Sequence, residues 1–177
     1  ATQLHVNYDL GGMSGAAPTE TDKTIGNTFT LAAEPVWLNH DFLGWTDGAT
    51  TYAAGSNYTI SGNNVTLTAL WADVLFSVTY ANGGGSGNLP ADASLAFGIR
   101  FTVQGQGNLS RSGFTFTGWS DGASIYQPGS SYTMAGSDLT FTAVWSPIPA
   151  PPAPVNPPAP NPGTPTTPPV PTPEERI

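Results

Sequence analysis

The chain repeats itself, and that duplication limits what it can fold into more than any other feature. HVNYDLGG, ending at Gly12, returns as SVTYANGG, ending at Gly84. Further on, FLGWTDGATTYAAGSNYTISGNNVTLTALW, from Phe42 to Trp71, aligns without a gap with FTGWSDGASIYQPGSSYTMAGSDLTFTAVW, from Phe116 to Trp145. The offset between copies is 72 positions early and 74 late, so the second copy has gained two residues around Gly105 to Gly113. Each copy is read as one structural unit: module 1 over residues 1–72, module 2 over 73–146 and a tail over 147–177.

Within a copy, apolar side chains recur at every second position, which in a β-strand places them on one face. Leu4, Val6 and Tyr8 share a face, as do Phe76, Val78 and Tyr80. Val65, Leu67, Ala69 and Trp71 alternate with polar residues, and Leu139, Phe141, Ala143 and Trp145 do the same. These are the expected core faces. Asp47-Gly48 and Asp121-Gly122 supply residues that tolerate positive φ in tight turns, followed by Gly55 and Gly129, then Gly62-Asn63 and Gly136-Ser137. The second half of each copy is therefore expected to be a small antiparallel meander. Thr19–Gly26 and Asp92–Gly98 are the only stretches that suggest a turn or two of helix.

Composition agrees with a mainly β fold: charged residues make up only 9%, against an abundance of Gly, Thr, Ser and Asn. Four Lys and Arg stand against twelve Asp and Glu, a net charge of −8 that repels a phosphate backbone, so nucleic acid is not an expected partner. No apolar run approaches the roughly 20 residues that cross a bilayer, and no membrane insertion is expected. With no cysteine there are no disulfides, thiolate metal sites or cysteine nucleophiles. The chain opens at Ala1, so either an export signal has been removed or this is a cut fragment; its low charge and Thr/Asn/Gly-rich character favour a secreted or cell-surface location.

These residues resemble the Listeria/Bacteroides repeat family, the B-repeat module of internalin-type surface proteins. The family pattern is an opening V-x-Y-x-x-x-G-G, a central G-x-x-F-x-G-W with a following D-G and Tyr, and a closing L-T-A-x-W. The second copy carries Val78, Tyr80, Gly83, Gly84, Gly113, Phe116, Gly118, Trp119, Tyr126, Leu139, Ala143 and Trp145. The first keeps Phe42, Gly44, Trp45, Tyr52, Ala69 and Trp71, with Asn39-His40-Asp41 where the pattern has a basic residue, Pro or Ser, and Gly. The resemblance spans residues 4–145. It implies two tandem, compact, β-grasp-like modules of the kind strung along bacterial surface proteins as spacers or as adhesive and assembly units, with no shared catalytic site.

Only Ala72 to Leu75 separates the closing Trp71 from the next opening strand, too short for a coiling linker, so a fixed, rod-like pair is expected. From Ser146 to Pro173 the chain holds 14 prolines. Proline fixes φ and donates no backbone hydrogen bond, so this tail favours extended polyproline II, spanning roughly 80 Å at about 3.1 Å per residue. Such a strand loses little entropy on lying in an aromatic-lined groove, which points either to a spacer or to docking on a neighbouring subunit.

Reactive groups are scarce. His5 and His40 recur in neither copy with a carboxylate and hydroxyl set, so no catalytic residue is assigned. Asp47 and Asp121 recur in D-G turns, but no D-x-D-x-D-G loop is present, and turn chemistry accounts for them without calcium or any other cofactor. Trp45, Trp119, Trp71 and Trp145 recur in pairs and are read as packing residues. Trp37 has no aromatic counterpart in the second copy. It joins Tyr52, Tyr126 and the tail prolines Pro151, Pro152, Pro157 and Pro158 as the candidate partner contacts. The expectation is a non-enzymatic extracellular structural protein, a subunit of a bacterial surface filament or stalk that self-associates through its tail, with a cell-wall or host-surface component as a further partner. The alternative is an adhesin or glycan-binding module using Trp37 or the tyrosine-rich turns.

Overall fold

The computed structural model describes residues 1–154. The first copy contributes β1 (Val6–Asp9), β2 (Thr28–Thr30), β3 (His40–Thr46), β4 (Thr51–Tyr52), β5 (Asn57–Thr59) and β6 (Val65–Asp73). The second contributes β7 (Leu75–Ala81), β8 (Ala93–Ala96), β9 (Arg100–Thr102), β10 (Phe114–Ser120), β11 (Ile125–Tyr126), β12 (Ser131–Thr133) and β13 (Leu139–Pro147). There is no helix among the described residues.

The main sheet of the first copy runs β1-β6-β3-β4 and that of the second β11-β10-β13-β7-β8. In each, the last long strand lies at the centre, parallel to the opening strand (Val6↔Val65, Val78↔Leu139) and antiparallel to the strand that bears the Gly-Trp pair. The expected meander is therefore corrected. Only its first hairpin forms, as β3–β4 and β10–β11, closed by the D-G turns. The next strand, β5 or β12, leaves the sheet and pairs antiparallel with β2 or β9 from earlier in the same copy, setting Phe29 opposite Tyr58 and Phe101 opposite Tyr132. The most strongly alternating strand, with Leu67 and Ala69 or Phe141 and Ala143 on its inner face, gains two neighbours by taking the centre.

The expected helical turns are corrected as well. Thr19 and Lys23 bridge antiparallel to Asn7 and Leu4, with two hydrogen bonds of 2.8 and 3.0 Å between Leu4 and Lys23. Ala93–Ala96 is strand β8, paired along β7 from Leu75↔Ala96 to Val78↔Ala93. An isolated turn of helix is marginal, whereas an opening strand at the sheet edge leaves a row of peptide groups that a passing segment can satisfy.

Each copy has its own core. The first gathers Leu4, Val6, Tyr8, Leu10, Phe29, Leu31, Trp45, Tyr58, Ile60, Leu67 and Ala69. The second gathers Val78, Tyr80, Val103, Leu109, Trp119, Met134, Phe141 and Ala143. Trp45 and Trp119 are both 0% exposed and lie edge-on to Tyr8 and Tyr80, at 4.7 and 4.8 Å between ring centres. A single residue, Val74, separates β6 from β7, and its N–H donates to the carbonyl of Asn39 at 3.0 Å.

Candidate functional site

The recurrent aromatics are held by hydrogen bonds that also recur. Trp45 donates its indole N–H to the Ala32 carbonyl at 3.0 Å, while the Ala32 N–H donates to the Tyr8 hydroxyl at 2.9 Å. Trp119, Gln104 and Tyr80 repeat this with both bonds at 3.0 Å. Trp71 donates to the Leu10 carbonyl at 2.8 Å and Trp145 to that of Asn82 at 2.9 Å. The polar edges of the buried Trp45 and Trp119 and of the half-buried Trp71 and Trp145 are thereby satisfied, and the strands at opposite ends of each copy are clasped together.

Tyr52 and Tyr126 occupy equivalent places, opposite Trp45 and Trp119 in the short hairpins. In the first copy Asp47 accepts the backbone N–H groups of Ala49 (2.9 Å) and Thr50 (2.8 Å) on one carboxylate oxygen, and the hydroxyls of Tyr52 and Tyr58 (both 3.2 Å) on the other. Asp121 repeats the turn with Ala123 (2.9 Å), Ser124 (2.8 Å) and Tyr132 (3.4 Å). The donated backbone hydrogen bonds hold both carboxylates below the usual aspartate range. Burial, reinforced by the Asp47 charge, pushes the Tyr58 hydroxyl up to about 12. The sequence marked these Asp residues as turn formers; their second use, tethering tyrosines, depends on contacts between β-strands that spacing alone does not reveal.

Trp37 is half-buried in the loop before β3. Its ring stacks on His40 (3.8 Å, 12°) and meets Trp71 edge-on (5.4 Å, 90°). His40 is held from both sides: Nδ1 lies 2.9 Å from the Leu38 carbonyl and Nε2 lies 3.2 Å from Asp73. On either side of Trp37, Val36 and Leu38 are 86% and 80% exposed. His5 pairs separately with Asp22 at 2.6 Å on the surface. Both His–Asp pairs escaped the sequence reading because their members lie 17 and 33 positions apart. Among the described residues, no group of three or more His, Cys, Asp or Glu side chains comes together. Pro151 and Pro152 are exposed, and Pro157 and Pro158 lie outside the described residues.

A feature the sequence reading missed is a hollow in the second copy, between the loop that carries Asn88 and the loop of extra residues after Gln104. Its signal was present in the changed offset between copies.

Comparison with known proteins agrees with the duplication. The profile of the Listeria-Bacteroides repeat domain matches twice, over residues 5–70 and 76–144. A protein of Evansella cellulosilytica named as a membrane protein is 35% identical over 147 residues, covering 80% of this chain and 22% of that protein. Another from the same organism, named as a Gly-rich membrane protein, is 30% identical over 119 residues, covering 60% of this chain and 14% of its own length. The chain thus spans about a fifth or less of these relatives. Among solved structures, domains 3–4 of the streptococcal high identity repeats in tandem, from a cell surface protein, align with a TM-score of 0.36 at 17% identity, over 85% of this chain and 100% of that one.

Proposed function

Because this chain belongs to the Listeria-Bacteroides repeat family, whose repeats occur in surface proteins, we propose that it acts outside the cell as a non-enzymatic structural subunit of a surface filament or stalk. The observation that carries this reading is the use made of the recurrent side chains. Trp45, Trp71, Trp119, Trp145 and both Asp–Tyr turns are engaged in closing two cores, which is what a load-spanning repeat requires and a reactive cleft does not. Among the described residues, each unit is a mainly β module without the helix that a β-grasp would carry, and the single-residue joint at Val74, bonded back to Asn39, favours a stiff pair over a flexible string.

In this reading the proline-rich tail, of which residues 155–177 lie outside the described residues, bridges to a neighbouring subunit or the envelope. Its many prolines, each with a fixed φ, suit a segment that gives up little entropy on docking. Removal of residues 149–177, which leaves β13 and the Ile148–Gly113 hydrogen bond intact, followed by negative-stain electron microscopy tests it. The full chain is expected to give linear assemblies and the shortened chain single particles; assemblies of the same form from both chains would refute the bridging role.

A further inference from the structure

We propose that the second copy carries a binding site for a neutral, hydroxyl-rich saccharide, in the hollow that its extra residues open beside Gln104. The first copy has no equivalent insertion: Ala32 and Trp45 are 13 positions apart, whereas Gln104 and Trp119 are 15 apart. The core contact is the same in both, so the added residues are displaced outward. They form one wall of a hollow of about 440 Å³, and the segment from Asn88 to Ala91 forms the other. That volume falls in the range of small-molecule sites, roughly 300–1,000 Å³.

The walls are fixed before any ligand arrives. Ser86 and Ser110 exchange two backbone hydrogen bonds of 2.8 and 2.9 Å, and the Asn88 N–H donates to the Asn108 side-chain oxygen at 2.8 Å. Leu109, one residue beyond the hollow, is buried in the core. The backbone of Gln104 is tied on both sides, to Tyr80 and Trp119, while its side chain remains exposed at the rim. A saccharide that binds here meets a surface that loses little freedom on complex formation.

The lining determines the class of ligand. Its residues include Asn88, Gln104 and Asn108, which carry carboxamides, with the Asn108 oxygen already accepting from the Asn88 N–H, and the apolar Leu89 and Pro90; none of them is charged. A carboxamide offers both a donor and an acceptor, the pairing that a hydroxyl group needs, and the aliphatic wall can receive the C–H face of a sugar ring. An anionic ligand would find no counter-charge there and would approach a chain of net charge −8. A purely apolar ligand would cover the amides without satisfying them. This site stands apart from the structural role proposed above, and neither depends on the other.

The test uses the full chain. A printed array of neutral glucans, chitooligosaccharides and galactans, with sialylated oligosaccharides as the anionic control, is followed by NMR titration of the strongest neutral hit up to about 10 mM, where even millimolar affinity registers. Neutral binding is expected to shift the amides of Asn88, Gly105 and Gly107. Gln104→Leu is expected to weaken it about tenfold, the loss of one or two hydrogen bonds, with the Trp119 indole resonance unmoved. Trp37→Ala is expected to leave it unchanged. Absence of any neutral hit, equal binding of the sialylated control, shifts centred elsewhere, or full affinity in Gln104→Leu with its fold intact would each overturn the proposal.

Discussion

Trp119 donates its indole N–H to the carbonyl of Gln104 at 3.0 Å, across a loop two residues longer than the one that separates Trp45 from Ala32 in the first copy. The same ring, hydroxyl and carbonyl meet in both units despite the difference in length, so the contact and not the intervening chain defines the module. Replacing Trp119 by Ala removes a fully buried ring and is expected to destabilise the second unit by about 3–5 kcal/mol. Trp119→Phe keeps most of the volume but leaves the Gln104 carbonyl without its donor, at about 1–3 kcal/mol. Urea unfolding followed unit by unit by NMR checks both, with the first unit's midpoint expected to stay in place.

Acid sensitivity should track the Asp turns. Hydrogen bonds from Ala49 and Thr50 hold the folded pKa of Asp47 below its ordinary value of 3.8. A carboxylate depressed in this way contributes stability above that ordinary value, and the contribution is lost as pH falls below it through the folded pKa. Tyr58 has the opposite sign: its folded pKa near 12 means that its contribution is complete below 10 and lost as pH rises through 12. Melting temperatures from pH 2 to 12 are expected to fall at both ends. In Asp47→Asn the acid-side fall belonging to this group should disappear, and the alkaline one, still beginning near 10, should become smaller because the Asp47 charge no longer helps to raise the Tyr58 pKa.

Gly83 has φ +57°, and a Cβ there would lie on the carbonyl oxygen of Ala143; Gly11, at φ +64°, stands in the same relation to Ala69. Gly83→Ala is therefore expected to cost more than the roughly 1–2 kcal/mol of left-handed strain alone, because β13 has to move. Circular dichroism melts of Gly83→Ala and Gly11→Ala should show comparable losses. An effect below about 1 kcal/mol at either position would contradict the packing described.

Much of the fold was legible because strand periodicity is local. The alternation from Leu4 to Tyr8 and from Val65 to Trp71 placed the buried faces, and the Asp-Gly pairs placed the hairpins. Strand order was less so. That β6 enters between β1 and β3, or that Thr19 and Lys23 bridge to Asn7 and Leu4, depends on which distant backbone groups need partners, and no local preference records it. For the candidate contacts, Trp37 stood out as unpaired in the repeat, but its neighbours His40 and Trp71 emerge only from the folded arrangement.

Trp37→Ala tests that arrangement. Removal of the ring strips the stack from His40 and exposes an edge of Trp71, so the first unit is expected to lose about 1–3 kcal/mol while the second is unaffected. Unit-resolved urea unfolding reads the difference.

The account stands on two closed cores built from the same clasp, and hydrogen exchange at the indole N–H groups of Trp45 and Trp119 measures that closure directly. Both protons point at backbone carbonyls inside rings that are 0% exposed. Exchange is expected to be slowed by several orders of magnitude relative to a free indole, in both units alike. Rapid exchange at either one would place that tryptophan at an open cleft and contradict the structural role assigned to the repeat.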